Sequence, residues 1–163
     1  MINGEPIQQF WALPYDRWEG YAAERNEVLN FIQNPDNNPA TDDGIKHVVF
    51  LTTDTHATLV NEVFKDRFSA PATIAQEVVT GPVATSTFQQ SIIAALGAAR
   101  VAQVQAALSL AGVDCRNLNQ NSYGVVQVDS LLGTVVVTSK DQNGAPVMNQ
   151  VAPAVPCAKV LGP

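Results

Sequence analysis

The run from Ile45 to Thr52, IKHVVFLT, constrains the fold of this chain more than any other segment. It is short, mostly apolar and rich in β-branched residues, which is typical of a central strand covered on both faces. Sheets with such strands belong to α/β proteins, in which helices cover the sheet. The run also leads directly to Asp54 and His56, at the edge where open α/β sheets place their ligand crevices.

The segments before this strand predict one extended stretch, one helix and one loop. Pro6 to Pro14 has the aromatic and apolar content of a buried strand. Apolar residues recur at helical spacing from Tyr21 to Gln33, which predicts an amphipathic helix. The polar run from Asn34 to Gly44 contains two prolines and predicts a mobile surface loop.

The segments after Asp54 predict a mixture of strands and helices. Leu59 to Phe68 reads as weakly helical or irregular, whereas Thr73 to Thr80 alternates like a strand. Two helical stretches follow, the first capped within residues 85–87 and the second ended by Gly112. Everything from Tyr123 onward is typical of a closing β-meander.

Length and charge limit the class of protein. A chain of 163 residues that is 46% hydrophobic matches one ordinary domain, so residues 1–163 are read as a single domain or a fragment of one. A net charge of −6 with nine basic residues argues against duplex nucleic-acid binding. No apolar run reaches the roughly 18 residues of a membrane span, and the first residues do not form a secretory signal.

The two cysteines, Cys115 and Cys157, lie far apart with no metal-ligand partner beside either. This spacing excludes a zinc knuckle. It leaves two alternatives open, a disulfide that ties the C-terminal tail to the body or two buried thiols.

The residues with chemical potential are Asp54 and His56, in the run TTDTHAT. In an extended loop residues i and i+2 face the same side, so a carboxylate and an imidazole can converge on metal ions. The alternative is structural, with the aspartate capping a turn and the histidine bonded to backbone. We interpret His47, inside the apolar run, as a core or edge residue rather than a ligand.

Two motifs together resemble a known family. DRWEGYAAER, from Asp16 to Arg25, resembles a stretch of the PhoD-like phosphatases, and HVVFLTTDTHATLVNEV resembles their late strand and ligand loop. VVTGPVATSTF and SYGVVQVD resemble the family's next strand and closing hairpin. The resemblance covers nearly the whole chain in the expected order.

The resemblance implies the C-terminal part of a calcineurin-like metallophosphoesterase, a two-sheet α/β sandwich flanked by helices. It implies that Asp54 and His56 are metal ligands, that His56 is also catalytic, and that the ions are calcium, iron or similar. The parent would hydrolyse phosphate mono- or diesters outside the cytoplasm. In this sequence Thr53 replaces the glycine that normally precedes the aspartate. The other class of function is a catalytically silent structural or interaction module.

The position of the motif decides which ligands are present. The first motif of the superfamily is also Asp-x-His, but a Gly-Asp and a further histidine motif should follow it, and none follows His56. Asp54 and His56 therefore resemble the last motif, which places the early ligands in a missing N-terminal part of the same protein. We expect this chain to be inactive alone, because two ligands do not make a metal cluster.

The other residues that match the family receive structural interpretations, with one exception. Trp18, Gly20 and Tyr21 are expected to serve packing and turn formation, and Arg25 to be structural. Arg17 is the substrate candidate, because a guanidinium binds two phosphate oxygens, although we expect it to be solvent-exposed. An exported protein, as the resemblance implies, also favours the disulfide between the two cysteines.

Overall fold

A computed structural model describes residues 1–10, 17–38, 40 and 44–162 of the chain. A short 3-10 helix, Trp18–Tyr21, leads into the first of three α-helices in this part of the chain. The helices are α1 (Ala22–Gln33), α2 (Phe88–Leu96) and α3 (Arg100–Leu110). The strands are β1 (Val49–Thr52), β2 (Thr58–Asp66), β3 (Ala70–Val79), β4 (Val113–Asn117), β5 (Tyr123–Asp129), β6 (Thr134–Lys140) and β7 (Ala158–Leu161).

The strands form two sheets. The first has the order β1-β3-β2-β4, and the second, which is antiparallel throughout, has the order β5-β6-β7. Within the first sheet β1 runs parallel to β3, with Thr52 opposite Val79. The chain therefore leaves β1 and β3 at the same edge of the sheet, and the loops that follow these strands meet there.

Three apolar clusters hold the layers together. One lies between the two sheets and contains Val60 and Val78 from the first sheet and Val137 from the second. The other two lie on the opposite face of the first sheet, under α1 and under the pair α2 and α3 respectively. The fold is the α/β sandwich flanked by helices that the sequence predicted.

A disulfide joins the two sheets. Cys115 lies in β4, and Cys157 directly precedes β7, with 5.4 Å between their Cα atoms. Of the two alternatives that the sequence left open, the disulfide is confirmed.

The prediction for Leu59 to Phe68 was wrong, because this segment forms most of β2. β2 pairs with β3 on one side and β4 on the other, so it is an interior strand of the sheet. Helices cover one of its faces and the second sheet covers the other. An interior strand loses the alternation of apolar and polar residues by which a half-exposed strand is recognised.

The predicted helices and the later strands are confirmed with small shifts in their bounds. The prediction that residues 45–52 form a central strand was wrong, because β1 covers only Val49–Thr52 and lies at the edge of the four-stranded sheet. α2 begins with a capping box, in which Thr87 and Gln90 exchange hydrogen bonds between side chain and backbone. Residues 6–10 form no strand, and residues 11–14 of the predicted extended stretch lie outside the described part of the chain. Of the predicted loop 34–44, residues 39 and 41–43 likewise lie outside it.

No helix in the described ranges has the length and apolar character needed to cross a bilayer.

The interpretation of His47 as a core or edge residue was also wrong. β1 begins only at Val49, and His47 is exposed in the preceding loop with a left-handed φ of 56°. A strand requires a negative φ, so β1 cannot extend toward the N-terminus to include His47.

A buried carboxylate lies near the middle of the first sheet, on the face toward the helices. Glu77 of β3 is fully buried and accepts hydrogen bonds from the backbone N–H groups of Ile7 (2.7 Å) and Gln8 (3.2 Å). Its oxygens also accept from Asn61 Nδ2 (3.0 Å) and Thr52 Oγ1 (3.3 Å). Burial raises the pKa of the Glu77 carboxyl, and these four hydrogen bonds act against that rise.

Arg25 of α1 completes the same network. Its guanidinium is buried and donates to three backbone oxygens, those of Ile7 (2.6 Å), Phe64 (2.6 Å) and Lys65 (2.9 Å). Burial lowers the pKa of Arg25, and the negative charge of Glu77 opposes that shift. Arg25 is therefore structural, as predicted, because it joins α1 to β2 and to the N-terminal segment.

Candidate metal-ligand site at the end of β1

Asp54 and His56 lie in the loop that follows β1, where the sequence placed them. The loop is not extended, because both residues adopt left-handed backbone conformations, with φ of 63° and 58°. Thr55 between them is buried, and its N–H donates to the carbonyl of Thr53 (2.9 Å). Two such conformations in non-glycine residues store backbone strain, a feature that clusters at functional sites.

Hydrogen bonds from neighbouring elements hold this loop in place. The N–H of Phe88, at the start of α2, donates to the carbonyl of His56 (2.7 Å). The His56 ring contacts the carbonyl of Ser86 through Nδ1 (2.7 Å). At the loop's start, Thr53 Oγ1 donates to the carbonyl of Gly4 (3.1 Å). The loop is thus fixed to α2 and to the N-terminal segment.

Asp54 and His56 line one open hollow of about 300 Å³. Its other walls come from residues 80–85, which follow β3, and from residues 122–124 at the start of β5. Asp54 is exposed and His56 is half-buried, so both side chains lie at a rim rather than in the core.

The hollow depends on a close approach at Gly81. A Cβ atom at this position would lie 2.7 Å from Ser122 Oγ, which is closer than atoms can pack. The N–H of Gly81 donates to the same hydroxyl oxygen (3.0 Å), and that hydroxyl is also bonded to Thr58 Oγ1 (2.7 Å). Glycine is therefore required where the loop after β3 crosses the start of β5.

The chemistry of Asp54 and His56 fits part of a metal site. A histidine that binds metal typically uses its second ring nitrogen to donate to a carbonyl or carboxylate, and the contact of His56 Nδ1 with Ser86 leaves Nε2 for an ion. The exposed carboxylate of Asp54 is a suitable second ligand. The described residues contain no group of three or more His, Cys, Asp or Glu side chains that could hold an ion.

Arg17, the substrate candidate, lies in a different place. It is only 8% exposed, so the expected solvent exposure was wrong. It lines a separate hollow of about 330 Å³ with Trp18, Tyr21 and Glu24, and not the one at Asp54 and His56.

Of the two aromatic residues in the motif DRWEGYAAER, one has the expected role and one does not. Trp18 packs against the apolar cluster under α1, as expected. Tyr21 is 57% exposed, so its predicted role in packing was wrong. Asp16 lies outside the described residues.

Glu77 was not among the predicted site residues, although its carboxylate accepts a hydrogen bond from Thr52, the last residue before the loop. A signal was present, since a glutamate interrupts the apolar end of the strand TIAQEVV. A charged residue at an inward position of an interior strand is almost always paired or hydrogen-bonded. It therefore marks a buried polar network.

Comparison with known proteins gives the family. The family model of the PhoD-like phosphatases matches residues 2–136. A solved structure of PhoD superposes with a TM-score of 0.58 at 18% identity, and the match covers 98% of this chain and 28% of that one. No curated protein matches the chain. At this identity the likeness to PhoD shows the fold, while the family model matches most of the sequence. The chain belongs to the PhoD-like phosphatase family.

Proposed function

We propose that this chain supplies the late metal-ligand loop of a longer enzyme that hydrolyses phosphate mono- or diesters. The observation that carries the proposal is the pair Asp54 and His56, at the edge of the sheet where the parallel strands β1 and β3 both end. The His56 ring is oriented by the Ser86 carbonyl, as in a metal-binding histidine.

The metal ions of such a site, calcium, iron or similar, supply Lewis acidity and lower the pKa of a bound water. The contribution of this chain is to present one carboxylate and one imidazole from a loop whose backbone is fixed on both sides. The hollow beside them is open, which leaves room for a phosphate ester and for ligands from another part of the protein. We expect the chain alone to be inactive, because two ligands hold a metal ion only weakly.

The missing ligands fit a longer parent protein. The chain spans 28% of the length of the PhoD structure that it matches, so the parent's N-terminal part is the proposed partner. A location outside the cytoplasm is supported by the disulfide between Cys115 and Cys157, since disulfides persist in oxidising compartments.

The test uses the longer protein that contains this chain. Purified protein is assayed with a chromogenic phosphodiester and with the corresponding monoester, with and without chelator, and its metal content is measured. We expect Asp54→Ala and His56→Ala to lose bound metal and to lower turnover by about 100-fold or more, because ligands act on the transition state. His47→Ala is the matched control, since His47 is exposed and does not line the hollow.

Two results would contradict the proposal. The first is normal metal content and turnover in the Asp54 and His56 variants. The second is chelator-sensitive hydrolysis by the isolated 163-residue chain, which would show that other residues form the site. A longer protein with neither metal nor activity would favour the alternative, a silent structural module in which the loop serves only the fold.

A further inference from the structure

A second hollow adjoins the one at Asp54 and His56. Its volume is about 410 Å³, and Thr85 lines both hollows. Three stretches form its walls, residues 85–90, residues 119–121 and residues 141–143. Every residue that lines it, among those the structure describes, is Asn, Gln, Thr or Asp. We refer to this hollow as the amide groove.

Hydrogen bonds join the second wall to the third wall and to Val83, which lies just before the first wall. Gln120 Nε2 donates to Asp141 Oδ2 (3.3 Å), and Asn121 Nδ2 donates to the carbonyl of Val83 (3.2 Å). Asp141 Oδ1 accepts from the N–H groups of Asn143 and Ala145, both at 2.9 Å, which fixes the turn that carries the third wall. The groove is therefore formed by braced loops whose relative positions are set without a ligand.

Three amide side chains of the groove remain available for a ligand. The side chains of Asn119, Gln142 and Asn143 are exposed and make no hydrogen bond to any residue within the described ranges. Each carboxamide offers two donors and an acceptor in one plane. That arrangement matches pairs of adjacent hydroxyl groups, which also donate and accept.

The groove is unsuited to an anion. The start of α2 forms one wall, but the N–H groups of its first turn are already used: those of Phe88 and Gln89 donate to the carbonyls of His56 and Leu118. The N–H groups of Thr87 and Gln90 are used by the capping box. The lining described above contains no basic residue, and the charge of Asp141 would repel a phosphate.

The groove is equally unsuited to a metal cation or an apolar ligand. Asp141 is its one carboxylate, and one oxygen of that carboxylate already accepts two N–H groups. Small-molecule pockets that bind apolar ligands are lined mainly by hydrophobic side chains, and this lining has none. A neutral ligand with many hydroxyl groups satisfies all of these constraints.

We propose that the amide groove binds a neutral sugar unit. Asn119, Gln142 and Asn143 supply the hydrogen bonds to its hydroxyls, and Asp141 Oδ2 accepts from a hydroxyl with its remaining lone pair. Each hydrogen bond to the sugar replaces one that the side chain made with water, so its net contribution to the binding free energy is small. The dissociation constant is therefore expected in the millimolar range. The proposal does not depend on the metal-ligand loop, because the groove lies wholly within this chain.

The test is a titration of the purified 163-residue chain followed by ¹H–¹⁵N correlation NMR. Glucose, galactose, mannose and N-acetylglucosamine are added separately, and sodium phosphate is added as the anionic probe. We expect at least one sugar to shift the side-chain amide signals of Asn119, Gln142 and Asn143 saturably, while phosphate leaves them unchanged. The double variant Gln142→Ala with Asn143→Ala should weaken that binding at least tenfold.

The control is Gln127→Ala, which removes an exposed carboxamide on β5 outside the groove and should leave binding unchanged. The same spectra show whether each variant is folded. The proposal is overturned if none of the four sugars gives saturable shifts, if the double variant binds as the parent chain does, or if phosphate moves the groove amides. None of these readouts involves hydrolysis, so a failure here is distinct from a failure of the proposed phosphatase function.

Discussion

Two polar sites lie on the same sheet and differ in almost every property. Glu77 is fully buried in β3, and its oxygens accept four hydrogen bonds from protein groups. Asp54 and His56 lie beyond the end of β1, exposed or half-exposed, with strained backbones. The two sites are neighbours, because Thr52, which donates to Glu77, immediately precedes the loop.

The comparison shows that the residues that stabilise the fold and the residues that could bind a ligand lie in different parts of the sheet. A buried carboxylate must have its lone pairs satisfied by the protein, so Glu77 and Arg25 fix the N-terminal segment and α1 onto the sheet. A side chain that is to bind an external group must keep atoms free, which requires an open rim. We therefore expect substitutions at the buried site to affect folding, and substitutions at the rim to affect it little.

The largest effect is expected for Arg25→Ala. This change leaves the carbonyls of Ile7, Phe64 and Lys65 without their Arg25 donors and removes a large buried side chain, so it should lower the free energy of unfolding by about 3–5 kcal/mol. Urea unfolding followed by circular dichroism measures the change. Arg100→Ala, at an exposed arginine of α3, is the control and should cost about 0.5 kcal/mol or less. Equal effects of the two variants would show that the buried network does not stabilise the fold.

The disulfide is the second largest contributor, on the other face of the sheet. Replacing Cys115 and Cys157 together by alanine removes a link across 42 residues, which should lower the free energy of unfolding by about 2–4 kcal/mol. The same urea experiment, run with and without reductant, provides the check. Reductant should destabilise the unmutated chain and leave the double-alanine variant unchanged. If reductant has no effect on the unmutated chain, the prediction is contradicted.

A smaller effect is expected in the pH dependence that Glu77 imposes. Because burial raises its pKa in the folded chain, the folded state holds the proton more tightly than the unfolded state does. That contribution to stability is complete below the unfolded-state pKa and is lost as the pH rises through the folded-state value. The glutamine in Glu77→Gln cannot titrate. The free energy of unfolding of the unmutated chain, relative to that of this variant, should therefore fall as the pH rises. If the difference between the two urea midpoints stays constant from below the unfolded-state pKa of Glu77 to above its folded-state pKa, the prediction is contradicted.

The smallest effect is expected at the rim. Asp54→Gly relieves a left-handed backbone conformation, so the free energy of unfolding should stay the same or rise by up to about 1 kcal/mol. Thr55→Gly, in the same loop, removes a buried side chain without relieving such a conformation, and it should destabilise the chain. Thermal unfolding of the two variants tests the pair. Clear destabilisation by Asp54→Gly would show that the aspartate serves the fold rather than a ligand.

The elements whose pattern is local were predictable from the sequence. α1 has apolar residues at helical spacing, and α2 begins with Thr87 and a glutamine three residues later, so both could be located. β2 could not, because it is covered on both faces and its alternation is lost. His47 and Arg17 were misplaced for a related reason, since exposure depends on where the chain turns relative to distant strands.

The sequence by itself determined the family, the two motifs that carry the resemblance, and the position of Asp54 and His56 after an apolar strand. These properties are local, and a short run of residues contains them entirely. Only the tertiary structure decided that Cys115 and Cys157 are joined, that Glu77 and Arg25 share a buried network, and that three separate loops form the amide groove. Each of these brings together residues distant in sequence, and such pairings depend on the strand order and packing of the whole chain.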